Sequence, residues 1–327
     1  MKQVTSENPK YIDEKKRLFS KGFQMFGLGR GLRLMVLASL ISAGVLAGSL
    51  AGPATAAEAV ASVGMNQDQS EALTYLNNIR AKTGLQPLQF SATISKAARL
   101  HAVYYNTNHG KLSESAHNET KGMPGFMGMA VFDRLKTSGW SPGKNGYTTG
   151  EIMHFEQRES KEAVNGWLNT AYHREIILSH NYSEIGIGLV NGTAVMDFAG
   201  PYDPAPIQGG IAVYPYDGMK NVGTGFYGLE SPNPLSKFNV TKSGYIISAT
   251  TQNEMVWHKA QITDGSGAEV PYFEELHNKN TLFLYPKSVL KGNHTYKVSI
   301  SYEMKGKTGK QQKTWSFTTG AETGSKI

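Results

Sequence analysis

The chain has no cysteine. That excludes disulfides, thiolate metal sites and a thiol nucleophile, so its domains must hold by packed cores alone. Charge is sparse too, 18% of 327 residues against 39% hydrophobic, which is too little for a solvated disordered chain and enough apolar surface for two cores. One uncharged apolar run is long, at residues 34–50, so a polytopic membrane protein is excluded. No internal repeat and no H-E-x-x-H helix occurs, which removes a common metallohydrolase signature.

The formal net charge is +7, but its location argues against nucleic acid. Residues 1–33 hold eight Lys/Arg against three Asp/Glu, and the rest of the chain is nearly balanced at 25 against 23. The basic balance belongs to the leader and leaves no electrostatic footprint for a polyanion. Arg30 and Arg33 precede the apolar run, Gly52-Pro53 breaks it, and Ala54-Thr55-Ala56 supplies an A-x-A site. Residues 1–57 therefore read as a signal peptide, and the chain as an exported protein of a Gram-positive cell. A retained N-terminal anchor is the alternative, because 17 apolar residues just suffice to span a bilayer. Membrane association is expected only in that case.

Residues 58–68 form a polar lead-in. Leu73, Leu76 and Ile79 then give a helical stripe that stops at Gly84. Ser91 opens a second helix through Ala97, Ala98, His101, Ala102 and Tyr105. A third helix fits residues 131–137 and a fourth 159–178, with Gly150 read as a turn between them. Residues 185–190 and 194–198 read as strands. Three prolines and two glycines make residues 201–210 a linker. From 211 to 320 the texture is all-β, with Trp315 and Phe317 alternating onto one face, and residues 321–327 are a tail.

Six of the nine histidines fall between positions 101 and 180. His117 lies in a loop, Glu151 follows Gly150, and His173 follows Trp167 by six residues. Two imidazoles and a carboxylate that converge in a cleft could hold a divalent metal or form a metal-free polar cluster, and spacing leaves both open. His101 reads as a packed or helix-capping residue, Trp167 as core, and Arg174 as structural with a carboxylate or carbonyl partner. Tyr104, Tyr105 and Tyr172 read as surface residues, with the lining of a ligand groove as the alternative. Ser113 and Ser115 are the serines nearest His117 in sequence.

The order Leu76-Asn-Asn-Ile-Arg80, His101, His117, Gly150-Glu151, Trp167, His173-Arg174 and Ile185-Gly-Ile-Gly188 resembles the CAP superfamily, also called SCP/TAPS or pathogenesis-related-1-like, in its cysteine-free bacterial branch. Residues 294–302 and 313–319 resemble the last hairpin of bacterial immunoglobulin-like modules. The resemblance implies an α+β chain, with an α-β-α sandwich over 69–200 followed by a β-sandwich over 211–320. It also implies a cleft of two His and two Glu, in a family linked to zinc, sterols and lipids. His117, His173 and Glu151 match three of those positions, while the second acidic position is Asn165, a poorer metal ligand. Glu162 and Glu119 are substitutes for it. The expectation is a secreted, non-enzymatic cell-surface protein that binds a lipid, peptide or glycan, with one divalent cation, zinc, as the cofactor the cleft allows. The basic hairpin tip at residues 305–310 reads first as a solvated turn whose lysines discourage edge pairing, with contact to cell-wall polymer as the alternative. The rivals are a divalent-metal hydrolase using the same cleft and a structural wall or spore-surface component.

Overall fold

A computed structural model describes residues 64–108, 115–144 and 146–321 of the chain. The signal peptide, His109 and Ser113 lie outside the described residues. Helix α1 (Gln67–Lys82) starts at a capping box in which Asn66 Oδ1 accepts from Gln69 N and Gln69 Oε1 accepts from Asn66 N. Strand β1 (Gln89–Phe90) leads into helix α2 (Ala92–Asn108), and helix α3 (Val131–Thr137) follows the intervening loop. Strand β2 (Tyr147–His154), helices α4 (Ser160–Leu168) and α5 (Tyr172–Ile177), and strands β3 (Glu184–Val190) and β4 (Thr193–Pro201) complete the N-terminal domain.

The four strands form one sheet in the order β1-β3-β4-β2. Alternation along β4 assigns its faces: Ala194, Met196 and Phe198 pack with Leu76 and Trp167, while Val195 and Ala199 pack against α2 residues. Two glycines set how closely α2 approaches. A Cβ at Gly186 would overlap the backbone of Ile94 and Ser95, and one at Gly188 would overlap Ala98 and Arg99. The helix thus lies on bare strand backbone, a role only glycine fills. Gly188→Ala should cost about 1–3 kcal/mol by overpacking. Thermal unfolding of the variant measures it, and an unchanged midpoint would refute the tight approach.

Two expectations need correction. Gly150 is not a turn; it lies within β2, which pairs with β4 from Tyr147↔Pro201 to His154↔Ala194. The Tyr182 hydroxyl stands where a side chain at 150 would be, so the glycine serves packing. The single helix over 159–178 is broken into α4 and α5. At the break, the N–H groups of Ala171, Tyr172 and His173 donate to the Glu230 carboxylate. Tyr104 also departs from its surface reading: it is buried, and its hydroxyl accepts from Thr120 N.

The C-terminal half comprises β5 (Ile211–Tyr214), β6 (Met219–Val222), β7 (Gly225–Phe226), a 3-10 turn (Pro234–Phe238), β8 (Ser243–Gly244), β9 (Ile247–Thr251), β10 (Met255–Asp264), β11 (Tyr272–His277), β12 (Thr281–Pro286), β13 (Thr295–Met304) and β14 (Gln311–Thr319). Two four-stranded sheets result, β10-β13-β14-β6 and β11-β12-β9-β5, with a small β7-β8 pair. Tyr296, Val298, Ile300, Trp315 and Phe317 alternate inward as the strand period requires.

The two halves share a core that joins Leu76, Trp167 and Ile177 to Tyr214, Tyr245 and Ile247. Arg174 is buried in it. Its Nε donates to Leu168 O and its Nη1 to Ile246 O, both at 2.7 Å. Its guanidinium lies 4.8 Å and 5.2 Å from the ring centres of Tyr214 and Tyr245. Peripheral ties add Tyr172 Oη to Glu275 and His277 Nδ1 to Glu175.

Candidate functional site

Strand β2 presents Glu151 to the α2–α3 side of the sheet, where a buried polar network forms. His117 Nδ1 is 2.9 Å from Glu151 Oε1. Arg134, from α3, donates through Nη2 to Glu151 Oε2 and through Nη1 to the carbonyls of His117 and Met129. His101, from α2, sits with Nδ1 2.9 Å from Glu119 Oε1 and Nε2 3.1 Å from Ala116 O. Met127 N donates to the other oxygen of Glu119 at 2.6 Å. The His101, Glu119 and Arg134 side chains have no exposure, while the His117 ring is 45% exposed.

Burial alone would raise the Glu151 pKa; the His117 hydrogen bond and the Arg134 charge outweigh it and bring it down to about 2. Asp197, opposite Glu151 across the β2–β4 ladder, behaves in the reverse way. Its carboxyl is fully buried, no N–H or O–H reaches either oxygen, and it touches the Glu151 carboxylate. Burial and the neighbouring negative charge push its pKa well above the ordinary value. A buried carboxyl beside a negative charge favours its protonated form, and a protonated Asp197 is a donor facing the ionised Glu151.

A raised folded pKa gives stability that is full below the unfolded value, about 3.9, and is lost as pH rises toward the folded value. The Asp197 component therefore weakens with rising pH, by up to about 1.4 kcal/mol per pH unit. Glu151 contributes the opposite way: its component is present above about 4.5 and lost as pH falls toward 2. Asp197→Asn supplies the proton donor permanently. Its stability relative to the parent chain should climb in urea titrations as pH rises above the unfolded value of about 3.9, and a constant difference would refute the raised Asp197 pKa.

Of the residues singled out in the sequence, His117 and Glu151 are brought together. His173 is not joined to them: its Nδ1 is 2.7 Å from Glu230 Oε1, and its backbone N–H donates to the same oxygen. Asn165 Oδ1 accepts from the Tyr75 hydroxyl at 2.5 Å. Glu162 is exposed and faces Arg158.

The family model for the cysteine-rich secretory protein family, CAP, matches residues 73–200, and that for a bacterial Ig-like domain matches residues 212–319. The chain carries a CAP domain followed by an Ig-like module. The protein YkwD of Bacillus subtilis is 33% identical over 119 residues, which cover 36% of this chain and 41% of that protein. The chain thus spans about two-fifths of this curated relative's length. An extracellular protein containing an SCP domain from Bacillus anthracis aligns at 23% identity over 40% of this chain and 39% of its own, with a TM-score of 0.33. A cysteine-rich secretory protein from Staphylococcus aureus aligns at 18% identity over 42% and 40%, with a TM-score of 0.31.

The CAP-domain residues as placed do not fit the zinc site that the resemblance implies. Glu151 is occupied by Arg134 and His117, and a guanidinium beside a metal position repels the cation. The imidazole of His173 is turned to Glu230. Among the described residues no group of three or more His, Asp or Glu is arranged to hold a metal. Arg134, His101, Glu119 and Asp197 are the members of the CAP-domain network that its motifs did not announce as a set. Asp197 carried a signal nonetheless, as one acid inside the otherwise apolar strand Ala194-Val-Met-Asp-Phe-Ala199.

Proposed function

We propose that this is a secreted, non-enzymatic binding protein whose CAP domain receives a lipid, peptide or glycan at the bacterial cell surface. The observation that carries the reading is a single half-exposed imidazole, His117, above a buried network whose charges are internally paired. Glu151 is held ionised, so His117 Nδ1 donates to it and Nε2 is the ring nitrogen left for a ligand. That nitrogen exchanges a hydrogen bond with a hydroxyl or an amide, groups that all three ligand classes carry. The metal-hydrolase rival uses Glu151 as its general base, a role that needs a free carboxylate. Here Arg134 neutralises the one carboxylate at the mouth, which disfavours the hydrolase reading.

Imidazole NMR tests this with three probes: a lysolipid micelle, a tetrapeptide and a neutral disaccharide. One of them should shift the His117 resonances saturably, and His117→Ala should lose the binding. No response to any of the three refutes the cleft reading. Zinc titration by calorimetry covers the rival. No tight binding is expected at neutral pH, whereas micromolar one-to-one binding lost in His173→Ala would restore the metal-dependent hydrolase.

A further inference from the structure

A groove of about 420 Å3 opens where β2 and β3 begin and β4 ends, away from the polar network around Glu151. Its volume falls within the range of roughly 300–1,000 Å3 typical of small-molecule sites. Trp140 and Tyr147 form two of its walls, with ring centres 5.7 Å apart and planes at 81°. The result is an aromatic corner. Phe132 stacks behind Tyr147 at 4.5 Å, and Tyr202 stacks on it at 6.3 Å. Tyr202 is 70% exposed, a large ring held in water at the groove's rim. A Cβ at Gly146 would overlap the Tyr202 ring, so the glycine lets the ring lie against the backbone.

The polar part is equally defined. Trp140 Nε1 donates to Glu184 Oε2 at 3.0 Å, which fixes the carboxylate and leaves Oε1 for a ligand. Ser141 and Ser183 line the same space. Among the described lining residues Glu184 and Lys144 are the only charged ones, and they balance. A neutral occupant fits this better than a cationic or anionic one. Ring walls want a flat C–H face, while the carboxylate, ammonium and hydroxyls want several O–H groups around its edge. A pyranose with equatorial hydroxyls has both surfaces on one ring.

We propose that this groove is a subsite for a neutral hexose oligomer, with the Trp140 ring stacking on a sugar face, Tyr147 and the exposed Tyr202 flanking it, and Glu184 accepting from its hydroxyls. The site is separate from the His117 cleft and does not depend on how that cleft is read.

The test uses the whole protein, with cellotriose and chitotriose as probes in calorimetry and tryptophan fluorescence. One-to-one binding in the millimolar range or tighter, with a change in indole emission, is expected for at least one of them. Glu184→Gln should weaken it tenfold or more, and Trp140→Phe should abolish the emission change. Tyr202→Ala, at an exposed position, tests the rim without risk to the core and should weaken binding severalfold. Absence of binding by both sugars overturns the proposal, as does binding indifferent to Glu184→Gln and Tyr202→Ala. Binding lost in His117→Ala but kept in the groove variants would assign the sugar to the cleft, and saturable binding of a Lys-rich peptide in place of either sugar would replace it; both overturn the proposal.

Discussion

Arg134→Leu should destabilise the protein by about 3–5 kcal/mol, the usual cost of stranding a buried charge. The guanidinium is fully buried, pairs with Glu151 and lies 4.0 Å from Glu119. It also ties the carbonyls of His117 and Met129 to helix α3. Without it two buried carboxylates face each other and Asp197 with only His101 and His117 to compensate. Urea unfolding at pH 7 measures the loss. The double variant Arg134→Leu/Glu151→Leu should recover part of it, since removing both partners leaves less uncompensated charge than removing one. A single-variant loss below about 1 kcal/mol would show the network to be wrongly placed.

The second large effect belongs to Glu230. Its side chain is fully buried and accepts from Ala171 N, Tyr172 N and His173 N at 2.8–2.9 Å, and it contacts His173 Nδ1 at 2.7 Å. Each buried donor left unpaired costs about 1–3 kcal/mol, partly recovered where water enters. Glu230→Ala should therefore cost about 2–4 kcal/mol, and Glu230→Gln less, because its amide oxygen still accepts. Hydrogen exchange gives the local readout. The amides of residues 171–173 should lose protection in Glu230→Ala while those of α2 keep theirs. Uniform protection in both regions would refute the carboxylate's role at this helix start.

Much of the fold was legible because it is written in local periodicity. The stripe Leu73, Leu76 and Ile79 reports a buried helix face through spacing alone. The break between α4 and α5 was not legible. Ala163, Val164, Trp167 and Ala171 keep helical spacing straight across it, and what ends the helix is an acceptor 57 to 59 residues later. The candidate site divides on the same line. His117 and Glu151 stood out as a polar loop residue and an acid after glycine. The partner of His173 comes from outside the CAP domain, so no motif within that domain could announce it. His101 was read as a packed residue, and it is one, but its packing is polar. A histidine on an apolar helix face looks the same in sequence whether its neighbours are methyl groups or Glu119.

The guanidinium of Arg174, gripped by two tyrosine rings, changes what residues 201–210 are for. Family boundaries fall there, yet the joint it bridges does not articulate. For the two modules to swing apart, a cation would have to be drawn from between aromatic faces and two carbonyls would lose their donors at once. The proline-rich stretch is therefore a strap laid over a closed seam. Cutting it with a protease should leave two fragments still clasped together and sedimenting as one particle.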